Sequence, residues 1–235
     1  MTTPMRTLGF LMLLCAGTVL HAQSDALLKS HYEAYYRQMR MQGDVQGVIG
    51  AMTHLNVLDP STARRDTLAY IYANNDMHMQ ALNLLGIDVN PDDSDIALQV
   101  KSLSLKALNQ PQRALAHFQE LFKRSPGAYL TYEIADLKIQ LGENAGALLD
   151  IEYGIENATP EMTYAFYERQ QPYEVPLKAA LVHLKGLAQY GMNRNNIDKA
   201  MATFDEALAL APNFNLASLS KQALASRKEN PEAQD

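Results

Sequence analysis

The chain has 235 residues, a formal net charge of −6 at neutral pH, one cysteine and no tryptophan. An acidic balance without any run of Lys and Arg argues against nucleic acid, and against an anionic membrane surface, because phosphate binding needs clustered cations. A lone cysteine gives no disulfide framework, so stability has to come from packing.

Residues 1–22 read as a secretory signal peptide. Arg6 supplies the positive charge, Leu8 to Leu20 is an almost unbroken apolar run, and Ala22 offers a small residue for cleavage before Gln23. The run is too short and wrongly flanked to span a bilayer, and no later apolar stretch reaches the roughly 18 residues a spanning helix needs. Cys15 sits in mid-run behind the bulky Leu14, which disfavours a lipid anchor. The expectation is an exported chain, periplasmic or secreted, with no cysteine in its mature body and no membrane span.

The rest of the chain, residues 23–230, carries a period of 33. Tyr36, Ala69, Ser102 and Ala135 form one column, and Val48, Ala81, Ala114 and Ala147 form a second, twelve residues on. Beside the second runs an aliphatic column, Ile49, Leu82, Leu115 and Leu148, followed by a bulky one, Met52, Leu85, Phe118 and Ile151. Small side chains at two such positions let paired helices cross closely, and the bulky column fills the gap to the next pair. Between the small columns stand Gly43, Asp76, Asn109 and Gly142, residue types that tolerate the left-handed backbone of a chain leaving a helix. The pattern predicts an all-α solenoid of stacked helical hairpins.

In chain order, the first hairpin covers 24–59 and turns at Gly43. Gly47 and Gly50 in its second helix each lower helix propensity by roughly 1 kcal/mol relative to Ala, so this end is expected to fray more than the middle. The second hairpin covers 60–91, the third 92–125 and the fourth 126–158. Pro60, Pro126 and Pro212 mark joins between units, since proline starts a helix but cannot continue one. The acids at Asp92, Asp93 and Asp95 suit a helix start. The register then breaks: Ala200 follows Ala147 by 53 residues rather than 33. Most of the added chain is an irregular insertion near 159–176. Met162 to Tyr167 with a return strand at Tyr173 to Val175 reads as a hairpin, and a short helix over 160–169 fits almost as well. A fifth hairpin covers 176–211, a capping helix 213–229, and a disordered tail 231–235.

The repeat resembles the tetratricopeptide repeat, a helix–turn–helix unit of about 34 residues. Ala200, Phe204, Ala207 and Pro212 carry the second-helix pattern of that family, and Ala114, Phe118, Leu121 and Pro126 nearly repeat it. The aromatic and Gly of the family's first helix are mostly replaced, so the repeats are degenerate. The resemblance spans about 24–230 and implies a right-handed solenoid of about five hairpins that binds a protein or peptide in a groove lined by first helices. By phase, the implied groove residues are Glu33, Arg37, Arg40, Asp66, Tyr70, Gln99, Lys106, Tyr132 and Asp136. The run of Lys and Asn with which family members clamp a C-terminal carboxylate is missing from this set.

The insertion is a second candidate surface. Tyr164, Phe166, Tyr167 and Tyr173 place four aromatics within ten residues beside Arg169, a composition typical of interface hot spots. The competing reading is that these rings pack down to seal the register break, because an insert of this length must bury something to stay ordered. Catalytic signals are lacking. The histidines are scattered, no Gly-rich phosphate loop follows a strand, and metal-ligand spacing is absent. Met77-His78-Met79 could touch a soft metal, but Met79 is expected to pack instead. No cofactor or metal is expected. The sequence therefore points to a non-catalytic scaffold or adaptor of the cell envelope. Alternatives are an accessory subunit of an envelope assembly or secretion complex, and a binder of a small ligand or peptidoglycan fragment.

Overall fold

The structure, a computed structural model, describes residues 24–229, so the signal-peptide reading and the tail lie outside the described residues. Helical hairpins make up most of the described residues, giving the all-α solenoid architecture expected from the period. The described residues divide after Gly86 into two compact units.

The first unit holds α1 (24–42), α2 (Val45–Leu58), α3 (Thr62–Ala73) and α4 (His78–Leu85). Asp44 caps α2 by accepting from the Gly47 N–H at 2.9 Å, and Ser61 caps α3 by accepting from Arg64 N–H at 3.2 Å. The core is thin: Ile49, Met52, Leu55 and Leu68 are buried, and half-buried Tyr32, Tyr36, Ile71, Tyr72, Met77 and Leu84 complete it. Tyr32 stacks on His54 at 4.2 Å between ring centroids. Met77 packs on this core and Met79 is exposed, the reverse of the expectation for Met79. Helix α4 stops after eight residues at Gly86, whose φ of 80° breaks the helix.

The second unit holds α5 (Asp95–Ala107), α6 (Pro111–Arg124), α7 (Ala128–Gln140), α8 (Asn144–Asn157), β1 (Thr163–Phe166), β2 (Tyr173–Pro176), α9 (Leu177–Met192), α10 (Ile197–Leu210) and α11 (Asn215–Glu229). The insertion is thus a hairpin of antiparallel strands, with Thr163 opposite Pro176 and Phe166 opposite Tyr173. Its inner side joins a large core in which Phe166, Val175, Leu177, Leu181 and Phe214 are buried with Ile151 and Ala135.

The small-residue columns are fully enclosed. Ala69, Ser102 and Ala135 are buried, as are Ala81, Ala114 and Ala147, while Tyr36 in the terminal hairpin is only half-buried. All four turn residues have left-handed backbone: Gly43 at φ 69°, Asp76 at 58°, Asn109 at 55° and Gly142 at 78°. Each turn closes with the same bond, from Asp44 N–H to Met39 O, Met77 to Tyr72, Gln110 to Leu105 and Glu143 to Lys138, at 2.8–3.0 Å. This is the Schellman arrangement, which satisfies carbonyls that the helix end would otherwise leave unpaired.

The loop from Ile87 to Ser94 departs from the sequence reading. Asp93 is buried rather than displayed at a helix start. Its carboxylate accepts from the buried Lys101 Nζ at 2.6 Å, and the same ammonium donates to Asp88 O at 2.9 Å. Arg124 donates to Asp93 O at 2.6 Å and His117 Nε2 bonds Ile87 O at 2.9 Å. Side chains from α5 and α6 therefore hold the loop, while Ser94, not an acid, caps α5 by accepting from Ala97 N–H. Among the described residues no helix is long and apolar enough to cross a membrane.

Candidate functional site

Helical spacing puts Ile96, Gln99, Leu103 and Lys106 on one face of α5, and Tyr129, Glu133, Asp136 and Gln140 on one face of α7. Lys106 ties the two faces together. Its ammonium lies 2.7 Å from Glu133 and 2.9 Å from Asp136. Burial works against that charge, but the two carboxylates outweigh it and hold the Lys106 pKa above the ordinary lysine value. Glu133 also accepts from Tyr164 Oη at 2.7 Å, which draws β1 onto α7, and Gln140 donates to Asp136 at 3.2 Å. Beside this polar cluster three apolar side chains face solvent: Ile96 is 47% exposed, Leu103 39% and Tyr129 45%. The result is a mixed surface, apolar toward the start of α5 and α7 and excess-acidic toward Lys106, Glu133 and Asp136.

Tyr132 and the insertion aromatics form the flank of this surface. The Tyr132 and Tyr164 rings lie 4.0 Å apart between centroids, Phe166 meets Tyr164 at 5.2 Å and Phe214 at 4.9 Å, and Tyr173 stacks on Phe166 at 5.7 Å. Burial, reinforced by Glu133 and Asp136, pushes the Tyr132 and Tyr164 phenols far up, so both stay protonated donors. Tyr173 is pushed up to about 12 by partial burial and by its bond to Glu168, and its oxygen also accepts from Leu216 N–H at 3.4 Å.

Among the residues proposed from sequence, Lys106 and Asp136 meet directly, and Gln99 shares their surface. Tyr132 faces the same place but is almost enclosed, and works through its ring contacts. Asp66 is only 1% exposed and accepts from Arg65 at 3.0 Å, so it serves the first unit's interior and shows a partner no carboxylate. Glu33, Arg37, Arg40 and Tyr70 belong to the first unit, where Arg40 lies over the Tyr36 ring at 5.8 Å and Tyr70 is exposed. In the insertion, Phe166 is buried, whereas Tyr167 (74% exposed) and Arg169 face solvent. The packing reading therefore accounts for Tyr164, Phe166 and Tyr173, and leaves Tyr167 and Arg169 as the outward residues. Glu133 was missed by phase. Its signal was its position four residues after Tyr129 and three before Asp136, on the same helical face.

No family model matches the chain, and no curated protein matches it. Solved structures do. The crystal structure of YrrB, described as a TPR protein with an unusual peptide-binding site, superposes with a TM-score of 0.62 at 15% identity, covering 81% of this chain and 90% of that one. The crystal structure of MamA gives a TM-score of 0.58 at 16% identity, covering 88% of this chain and 96% of its own. The first of these has the tetratricopeptide repeat named for it, and the likeness extends that fold to this chain.

Proposed function

We propose that the protein is a non-catalytic scaffold that holds a protein or peptide segment on the surface of α5 and α7, flanked by the β1–β2 hairpin. The observation that carries this reading is the solvent-facing set Ile96, Leu103 and Tyr129 beside the Lys106–Glu133–Asp136 cluster. Apolar anchors next to fixed polar groups suit a helix face or an extended peptide. YrrB carries a peptide-binding site on the same kind of repeat, which supports the reading. Tyr167 and Arg169 extend the surface at the hairpin tip, and Tyr70, Glu33, Arg37 and Arg40 offer a further one in the first unit. Residues 1–22 support an exported, envelope-facing location, in which a scaffold or an accessory subunit of an assembly complex would find its partner.

A photo-crosslinking side chain placed at Leu103 or Tyr129 is expected to trap one dominant partner from envelope extracts. The same group at Leu149, exposed on α8, serves as the control. Equal trapping at all three positions, or none at any, removes the proposal.

A further inference from the structure

A second surface lies among α8, α9 and α10. Leu148 and Glu152 of α8, Lys185, Gln189 and Met192 of α9, Asn193 and Asn196 of the following turn, and Lys199 of α10 line a pocket of about 460 Å³, within the usual range for small-ligand sites. None of these residues belongs to the α5–α7 surface.

The pocket lies where the fifth hairpin does not copy the fourth. In the fourth, Lys138 on the first helix is neutralised by Asp150 on the second at 2.6 Å. At the corresponding places in the fifth, allowing for its longer turn, stand Gln189 and Thr203, joined by a neutral hydrogen bond of 2.8 Å. Both members of that ion pair are thus replaced by neutral groups, and no acid stands at the Thr203 position. Lys185 and Lys199 have no hydrogen-bond or ion-pair partner for their ammonium groups among the described residues, and Glu152 forms no ion pair with either. The turn also departs from the left-handed closure of the other four. Asn193 is extended at φ −146°, its side chain accepts from Asn195 N–H at 3.1 Å, and the Asn196 side chain accepts from Lys199 N–H at 3.4 Å. Both carboxamides keep their NH₂ donors for another partner. Two unquenched cations and two amide donors thus surround a cleft with an apolar wall of Leu148 and Met192.

We infer that this pocket binds a carboxylate carried on a short apolar stem, with the carboxylate between Lys185 and Lys199 and the stem against Leu148 and Met192. The acidic end of a peptide and a free small carboxylic acid share that chemistry. Glu152 sets the limit on charge: a ligand with several carboxylates meets repulsion on the α8 side.

The test is an NMR titration of the full chain with two probes, N-acetylleucine and an acetylated pentapeptide ending in Ala-Leu, each compared with its amidated form. Saturable shifts confined to the amides of Gln189, Asn193, Asn196 and Lys199 are expected with the acid and not with the amide. Binding of the free amino acid derivative assigns a small-molecule ligand, and binding of the pentapeptide alone assigns a peptide end. Lys185→Gln and Lys199→Gln should each weaken binding about tenfold, the order expected for a charge-assisted bond, and Glu152→Gln should tighten it. Lys178→Gln removes the same charge from an exposed place outside the pocket and should change nothing. Absence of saturable shifts with either probe at millimolar concentration overturns the inference. So does equal weakening by Lys178→Gln, or weaker binding in Glu152→Gln.

Discussion

Hairpins one to four each turn through a left-handed residue, Gly43, Asp76, Asn109 or Gly142, and hairpins two to four pack Ala or Ser columns between their helices. Between Ala158 and Leu210 no described residue takes that backbone, and the interior adds the rings of Tyr132, Tyr164, Phe166, Tyr173, Phe204 and Phe214 to the buried alanines and leucines of α9 and α10. The regular part is stabilised by close helix approach, repeated in small steps. The irregular part keeps small buried residues in α9 and α10, such as Ala188, Ala200 and Ala207, and adds large side chains drawn from α7, β1, β2, α10 and the residue before α11. A repeat array whose register is broken loses the matched face that its next unit would cover, and the aromatic hairpin supplies a replacement. The turn after α9 is irregular as well, with Asn193 extended, and it borders the pocket. Concentrated burial makes the second region fragile at single positions where the first is tolerant.

The largest expected effect follows directly. Phe166 touches rings from α7, β1, β2 and the α10–α11 junction, so Phe166→Ala should cost about 3–5 kcal/mol. Tyr167→Ala, one residue away and exposed, should stay within about 0.5 kcal/mol. Urea denaturation followed by circular dichroism measures both. If the two variants unfold alike, the hairpin does not seal the register break, and the contrast between the regions fails.

A second test uses pH. Burial between the Phe204 and Phe214 rings disfavours the His183 imidazolium and lowers its pKa to about 4, against the ordinary 6.5, with Asp136 pulling weakly the other way. Below pH about 6.5 the unfolded chain takes up a proton that the folded chain refuses. Stability from this group is therefore full above pH about 6.5 and lost as pH falls toward 4, by ~3 kcal/mol at most. The His183→Gln variant should lose that part of the slope between pH 7 and 4.5, and the difference from the parent chain isolates it. A parallel pair of curves would place the imidazole in water and take a second pillar from the aromatic core.

The extent to which these features could be read in advance depends on their range along the chain. The period of 33, its small columns and the left-handed turns are local or repeating signals, and Asp76 and Asn109 were legible as turn residues although neither is glycine. The strands of the insertion were legible from alternating Tyr, Phe and Val, but only as one of two options, because nothing local says that Phe166 meets Phe214. The ion pair of Lys101 with Asp93 was hidden, since a helix-start acid and a mid-helix lysine both look solvated until the loop between α4 and α5 folds back. Phase put Lys106 and Asp136 on one surface, and the structure brings them within 2.9 Å of each other. For Asp66 phase misled, because α3 turns that carboxylate inward toward Arg65.

Glycine substitution gives the smallest effects and the sharpest difference in sign. By helix propensity alone, Gly47, Gly50 and Gly186 are alike weak positions. In the structure the Phe204 ring occupies the space where a Gly186 Cβ would go, and the ring is rigid and buried. Gly186→Ala must displace it and should destabilise by about 1–3 kcal/mol. Around Gly50 nothing lies within 4 Å of the added carbon, so Gly50→Ala should stabilise by roughly 0.5–1 kcal/mol through helix propensity alone. Gly47 falls between them, because the space beside it is taken by the flexible end of Met39, which can move aside. Opposite signs for Gly186 and Gly50 in thermal denaturation would show that the irregular hairpin is packed to its limit while the first retains slack. A gain at both positions would mean that Phe204 moves freely, and that the close fit of α9 on α10 is not what holds the fifth hairpin together.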